Sequence, residues 1–515
     1  MYLTHILHRA VQQTPDDVAT ICGDRVRTWQ ESAERVARLA GGLRALGACE
    51  GDRIGILALN SDRYHEVLLA AWWAGCAVNP VNIRWSAKEI AYSLADSSTR
   101  VLFVDDAFAP LTPALHAEWD GVTTLIHCGD GPTPQNMHSH EELILSHEPL
   151  EETHSADGEP AGVFYTGGTT GFPKGVVLSH ANIWASVLSA AATVRLVRQG
   201  GRMMVAAPMF HLAGLSCWYA QSLIGGSHVF VPAFEPAAVL QVIEKHRPTA
   251  TLLVPAMVQM LVDHPDAGSR DLSSLETLVY GAAPISRALL ERTHQVLPRT
   301  SLVQGYGMTE MAPCIAMLGA DDHNDGRLLR SAGRALAGVE VRIVDREGAE
   351  VPQGTVGEIV ARGEGMMQGY WKKPHETAEA LRGGWMHTGD AGYLDADGYL
   401  FLVDRVKDMI VTGAENVYST EVENAVAQHP SVAACAVIGV PDAQWGERVH
   451  AVVVLRPGCT ATAEEIRDHT KSLIAGYKAP RSCEFVDELP LSAAGKVLKR
   501  ELRAPHWQGT ARRIN

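Results

Sequence analysis

No Lys/Arg-rich run occurs in the 515 residues, and charge is lopsided the other way: 44 basic against 59 acidic side chains, 44 − 59 = −15. Such a surface repels nucleic acid on average, which excludes nucleic acid as a partner and leaves any anionic ligand to a local site. No uncharged apolar stretch reaches the ~18 residues of a membrane-spanning helix, so none is expected. The opening MYLTHILHRAVQQTPDD lacks a basic start followed by an apolar run, so it does not read as a secretory leader. No CxxC pair exists. Nine cysteines, an odd number scattered from Cys22 to Cys483, read as reduced thiols in a cytoplasmic protein. The 22 histidines show no metal-ligand spacing, and His138 and His140, among Pro and Gly, read as a solvated loop. Internal repeats and low-complexity tracts are missing. With 46% hydrophobic and 20% charged residues, disordered, collagenous and coiled-coil classes are excluded.

What is present exceeds one domain of ~100–200 residues. The first half alternates short apolar runs with amphipathic segments. Thr28 and Glu31 have capping-box spacing, and Val36, Leu39, Ala40, Leu43 and Leu46 follow at helical intervals. Runs at 54–59, Val101–Val104, 123–126, 229–231, 250–254, 277–280 and 301–303 read as buried strands, and 67–78 reads as a buried helix. Strand–helix alternation predicts mainly parallel sheets covered by helices. After about Ser331 the rhythm changes to short strands between glycine turns (Val339–Val344, 357–361, 399–403), a β-rich subdomain. Beyond the charged run 404–408 an α+β pattern returns: helix 419–428, strands 433–440 and 451–455, helix 463–474. The boundary is placed at Lys407, dividing the chain into 1–406 and 407–515.

The strongest chemical signal is Tyr165-Thr-Gly-Gly-Thr-Thr-Gly-Phe-Pro-Lys-Gly175. Its small and hydroxylated residues offer backbone N–H groups and hydroxyls to a polyphosphate, and Lys174 adds a mobile charge. It is not the common P-loop, because Pro173 precedes the Lys and no Ser/Thr follows it. Taken alone, it also reads as a flexible surface loop. Five more segments stand further along. These are Gly281-Ala-Ala-Pro284, Gln304-Gly-Tyr-Gly-Met-Thr-Glu310, Trp385-Met-His-Thr-Gly-Asp390, Asp404-Arg-Val-Lys-Asp-Met-Ile-Val-Thr-Gly-Ala-Glu-Asn-Val-Tyr418 and Pro490-Leu-Ser-Ala-Ala-Gly-Lys496. In kind, order and spacing the six resemble the motifs of the acyl-adenylate-forming enzymes: acyl-CoA synthetases, luciferases and nonribosomal peptide adenylation domains.

The resemblance implies a site for ATP, Mg²⁺ and coenzyme A. Thr166, Gly167, Gly168, Thr169, Thr170, Gly171 and Lys174 would hold phosphates. Gly281, Ala282, Ala283, Gln304, Gly305, Tyr306, Gly307 and Met308 would hold adenine, with the Tyr306 ring free to stack on a purine. Thr309 would donate to the α-phosphate, and Glu310 is the implied Mg²⁺ ligand. Asp390 and Arg405 would take the ribose, and Gly413, Ala414 and Glu415 the thiol path. Lys496 is the implied catalytic lysine, offsetting the repulsion between a carboxylate and the α-phosphate. Lys407 would be the hinge. Without the resemblance, Tyr306 beside Thr309 and Glu310 still favours a site over a core tyrosine, Thr309 reads equally as a turn cap, Asp390 reads as a turn aspartate, and Arg405 and Lys496 read as solvated charges. Two departures bear on detail. The family usually has Ser where Gly167 stands, and Gly and Pro where Ala414 and Ser419 stand.

His211, in Pro208-Met-Phe-His-Leu-Ala-Gly214, falls where the family builds its carboxylate pocket. Amino-acid adenylation domains place an Asp near there, and His cannot replace that ion pair. The expected pocket of His211, Leu215, Met257, Gly281, Met308 and Pro313 is mostly apolar. A fatty or aryl monocarboxylic acid is therefore the expected substrate. The expected fold is α/β: a large N-terminal domain of two helix-flanked sheets and a β-barrel-like subdomain, then a small mobile α+β domain. The expected reaction is acyl-AMP formation followed by transfer to CoA, with a separate acyl carrier protein as the alternative acceptor. A homodimer is compatible with this reading.

Overall fold

The computed structural model describes residues 1–153, 158–167, 173–283, 285–412, 415–491 and 497–507. They form two compact units. The first comprises 1–341 and 361–386, and the second 342–360 and 387 onward.

The first unit is built on two sheets. One has nine strands, in the order Arg334–Ala335, Cys314–Leu318, Ser301–Gly307, Thr277–Gly281, Ala250–Leu253, Arg202–Val205, Ser227–Phe230, Val18–Cys22 and Arg25–Thr28. Its central pairs are parallel. The other has eight, in the order Gly369–Tyr370, Lys174–Ser179, Pro160–Thr166, Ala77–Pro80, Arg53–Leu57, Val101–Val104, Thr124–His127 and His138–Ser139. Here too the pairs are parallel, except where Lys174–Ser179 meets its two neighbours. Strands buried on both faces must be apolar throughout, and Val101–Val104 is buried at every position.

Local chemistry sets the helix starts. The Thr28–Glu31 capping box opens Trp29–Ala45, whose buried stripe includes Val36, Leu39, Ala40 and Leu43 as the spacing predicted. Matching boxes open Ala87–Asp96, His180–Thr193 and Ala463–Leu473, each cap contributing about 1 kcal/mol. The apolar run 67–78 is not one helix. The helix Asp62–Trp73 ends at Ala74, Gly75 turns the chain with φ +72°, and Ala77–Pro80 is a strand. Continuous hydrophobicity suits both elements, and periodicity alone does not locate the break. The loop assigned to His138 and His140 also divides. His138 is exposed, whereas His140 begins the helix His140–Ser146, is buried, and meets the buried Glu66 carboxylate at 2.8 Å.

The second unit has a five-stranded sheet. Gly446–Leu455 lies between Val432–Asp442 and, over different parts of its length, Ile410–Thr412 and the parallel Ser482–Phe485. Helices Ser419–Val426 and Ala463–Leu473 cover it, enclosing a core of Ile410, Val422, Val437, Val449, Val453 and Ile466. Ahead of it Met386–Leu394 and Leu400–Arg405 pair antiparallel. Among the described residues, no helix is long and apolar enough to cross a membrane.

Candidate active site

Most predicted positions in the first unit lie at strand ends, where parallel sheets leave room for ligands. Pro160–Thr166 and Lys174–Ser179 form a hairpin that pairs Thr166 with Lys174 across the mouth of the glycine-rich loop. Gly167 at the loop's entry is exposed. Gly168, Thr169, Thr170 and Gly171 lie outside the described residues.

The strand Gly369–Tyr370 lies on the outer side of that hairpin, in register with Val176 and Val177. The backbone N–H of Trp371 donates to Gly175 O at 2.7 Å, and the Trp371 indole donates to Asp96 O at 2.9 Å. This fixes the Tyr370 ring beside the loop's exit. Lys174 Nζ lies 4.9 Å from the ring centroid, within cation–π range. The Tyr370 hydroxyl donates to Glu310 Oε1 at 2.8 Å. Burial first, then the Glu310 charge, holds the phenol well above its ordinary range, so it remains a donor. Glu310 is buried, and its carbonyl accepts from Met367 N–H at 2.8 Å. The structure thus joins Lys174 and Glu310, far apart in sequence, through Tyr370. No sequence signal pointed to Tyr370, which strand pairing brings to this position.

The adenine-side segments meet in register, Gly281 opposite Gly305. A Cβ on Gly281 would lie 2.3 Å from Gly305 O, and one on Gly307 2.0 Å from Pro313 O, so both positions require glycine. Ala282, at φ +64°, and Ala283 are exposed, and Gln304 Oε1 accepts from Tyr280 Oη at 3.5 Å. Tyr306 is half-buried in the strand that leads to Met308 and the 3₁₀ turn Thr309–Met311.

His211 is half-buried at the head of Leu212–Leu223, its ring 4.2 Å from that of Phe210. A Cβ on Gly214 would lie 2.5 Å from Pro208 O, so the helix closes tightly on the preceding turn. A buried residue not singled out in the sequence, Asn60, brackets that turn. Its Nδ2 donates to Val205 O, Ala207 O and Val231 O at 3.0–3.2 Å, and its Oδ1 accepts from Met209 N–H at 2.8 Å. Among the other expected pocket residues, Leu215 is fully buried, and Met257 packs in a cluster with Leu253, Val258 and Leu261.

In the second unit Asp390 and Arg405 face each other across an antiparallel pair, Arg405 Nε 2.7 Å from Asp390 Oδ1. The segment 404–408 is less solvent-washed than its composition implied. Asp404 is buried and accepts from the Ser419 N–H and, at 3.0 Å, from its hydroxyl. Val406–Asp408 forms a 3₁₀ turn, Lys407 is half-buried, and burial lowers its ammonium pKa. Arg503 donates to Lys407 O at 3.0 Å and pairs with Asp408. Glu415 pairs with Thr412 and is exposed. Gly413, Ala414 and Lys496 lie outside the described residues.

Against known proteins, the AMP-binding enzyme family matches residues 7–371, and the AMP-binding enzyme C-terminal domain matches 421–496. A feruloyl-CoA synthase from Amycolatopsis sp. is 39% identical over 510 residues, covering 96% of this chain and 97% of its own. A fatty acid–[acyl-carrier-protein] ligase from Streptomyces coeruleorubidus is 37% identical over 510 residues, covering 98% and 96%. The solved structure of an amide bond synthetase from Marinactinospora thermotolerans superposes with a TM-score of 0.86 at 32% identity, covering 97% of this chain and 99% of that one.

Proposed function

The chain belongs to the AMP-binding enzyme family, and on that footing we propose that it joins a fatty or aryl monocarboxylic acid to coenzyme A through an acyl-AMP intermediate. The reaction class is AMP-forming acid–thiol ligation. The carboxylate attacks the α-phosphorus of ATP and pyrophosphate leaves. The CoA thiolate then attacks the acyl carbon and AMP leaves.

The observation that supports this most is the Lys174–Tyr370–Glu310 chain at the mouth of the glycine-rich loop. It sets a cation and a buried carboxylate on one rigid phenol, where polyphosphate charge must be received. Glu310 offers one buried carboxylate, and Mg²⁺, which keeps waters and substrate phosphate oxygens, needs few. Bound there, Mg²⁺ would neutralise phosphate charge. Tyr370 keeps the Glu310 carboxylate oriented, and Lys174 takes a phosphate oxygen. Thr166, Gly167, Gly168, Thr169, Thr170 and Gly171 surround the phosphates, and Thr309 donates to the α-phosphate. Gly281, Ala282, Ala283, Gln304, Gly305, Tyr306, Gly307 and Met308 receive adenine. Asp390 accepts the ribose hydroxyls, held in place by Arg405. Lys496 is assigned the charge that offsets the repulsion between the incoming carboxylate and the α-phosphate. His211, Leu215, Met257, Gly281, Met308 and Pro313 wall the acyl pocket, and Gly413, Ala414 and Glu415 line the thiol path. A hinge at Lys407, dividing 1–406 from 407–515, lets one cleft serve both half-reactions.

The relatives differ in acceptor: CoA in the name of one, an acyl carrier protein in that of another. The test is ATP–pyrophosphate exchange over a panel of fatty and aryl acids, then thioester formation with CoA and with a phosphopantetheinylated carrier protein. Acid-dependent exchange with a CoA thioester as product is expected. Exchange with a thioester only on the carrier moves the chain to the alternative acceptor, and no exchange with any acid overturns the reading.

A further inference from the structure

His450 lies in the strand Gly446–Leu455, opposite Ser482 of the parallel strand Ser482–Phe485. Its Nδ1 is 2.8 Å from Ser482 Oγ. The side chain is 7% exposed, and its Nε2 is buried without a hydrogen-bond partner. That nitrogen points at Glu484 Oε2, 3.7 Å away, too far for a hydrogen bond. From the far side comes His506, in the turn Ala504–Trp507, which the Trp507 indole pins by donating to Gly439 O at 3.0 Å. His506 Nε2 is 4.0 Å from the same Glu484 oxygen, and the two imidazole centroids are 5.0 Å apart. One ligand atom from each of the three residues lies within 4.8 Å of the other two.

We propose that His450, Glu484 and His506 form a binding site for a divalent transition metal of the Zn²⁺ type, with water completing the coordination. Two imidazoles and one carboxylate suit such an ion and do not suit Mg²⁺. At metal–ligand distances of about 2.0–2.1 Å, tetrahedral ligands sit about 3.3–3.4 Å apart. The 3.7 Å and 4.0 Å contacts to Glu484 would therefore close by about 0.3–0.7 Å, and the two imidazole ligand atoms, within 4.8 Å of each other, by at most about 1.5 Å. Glu484, 54% exposed, and His506, 31% exposed, have the freedom to move that far. His450 does not need to: Ser482 orients its ring, as outer-shell partners of metal histidines do. The site also gives the buried Nε2 the partner it lacks. A bound ion would fasten the turn bearing His506 to the sheet, and Arg503 on the adjoining helix holds the Lys407 carbonyl. The site shares no residue with the proposed Mg²⁺ position and does not depend on the ligase reading.

The test uses the full chain, stripped with chelator and kept free of nucleotide. It is titrated with Co²⁺ while the visible d–d absorption is followed, then with Zn²⁺ as competitor. One equivalent of Co²⁺ in a four-coordinate spectrum, displaced by Zn²⁺ and unaffected by millimolar Mg²⁺, is expected. Glu484→Gln and His506→Gln should each weaken binding at least tenfold while leaving pyrophosphate exchange and the far-UV spectrum unchanged. No stoichiometric band, or a band that persists at full affinity in either variant, overturns the site.

Discussion

Tyr370 and Glu310 are coupled through a single 2.8 Å hydrogen bond, so their variants should fail differently. Glu310→Gln keeps the shape and removes the charge. Its activity should need markedly more Mg²⁺, read from a magnesium titration of pyrophosphate exchange, and an unchanged titration would remove Glu310 from the metal. Tyr370→Phe keeps the charge and removes the hydrogen bond that the phenol gives the carboxylate. The loss of about 1 kcal/mol of orientation should raise the KM for ATP roughly fivefold with a smaller change in kcat. Lys496→Ala should lose most of the acyl-AMP rate yet still make thioester from supplied acyl-AMP, because only the first half-reaction brings two anions together. Equal loss in both halves would point to a role in folding. Asn60→Ala leaves Met209 N–H and three backbone carbonyls without their shared partner. A destabilisation of about 2–4 kcal/mol is expected, measured as a lower urea midpoint. A midpoint shift worth less than about 0.5 kcal/mol would mean that water replaces the amide.

At the scale of elements, the first unit seals histidines into its packing. His65 is buried in Asp62–Trp73 against Trp218, and burial, then His228, pushes it down to about 3. His228 in Ser227–Phe230 and His180 at the start of His180–Thr193 are pushed down to about 4, chiefly by burial. Each folded-state value lies below the ordinary 6.5. The unfolded chain therefore binds more protons between these values, and the stabilisation is complete above about pH 6.5. It is lost progressively as pH falls toward 4, and toward 3 for His65. Each of His180 and His228 accounts for on the order of 3 kcal/mol by pH 4. Urea midpoints should be flat from pH 8 to 7 and drop steeply from 6 to 4.5. His228→Gln, less stable at neutral pH, should show a shallower drop, and an equal slope would assign the acid sensitivity to other groups.

For the whole molecule, the proposal turns on Lys407. Its backbone carbonyl is tied to Arg503 inside the second unit, and Val406 shares its 3₁₀ turn. Proline at 407 accepts the turn's φ but disfavours helical backbone at Val406, so it stiffens the segment. Lys407→Pro should keep acyl-AMP formation and slow CoA transfer sharply if the arrangement it retains is the adenylating one. Single-turnover measurement of each half-reaction decides it: a folded variant that slows neither removes the hinge. Loss of both with intact folding keeps a hinge but assigns the retained arrangement to neither half-reaction.

The sequence by itself determined the α/β class, the strands at Val101–Val104 and Val339–Val344, the Thr28–Glu31 cap and the six motifs. All of these are written in contiguous residues, where periodicity, capping and loop chemistry act over a few positions. Asp390 and Arg405 were assigned to the same ribose from separate motifs, and the antiparallel register set them face to face. Tertiary structure alone decided what depends on distant strands meeting. Tyr370 reaches Glu310 because Gly369–Tyr370 pairs beside the loop hairpin, and Asn60 braces the His211 turn from another strand end. His140 was misread because its polar neighbours in sequence are not its neighbours in space, where Glu66 pairs with it. The His450–Glu484–His506 group shows no ligand spacing because two strands and a turn supply one residue each. Spacing along a chain reports a site only when one element holds it. When several elements converge, the backbone hydrogen bonds and buried cores that place those elements decide which side chains meet.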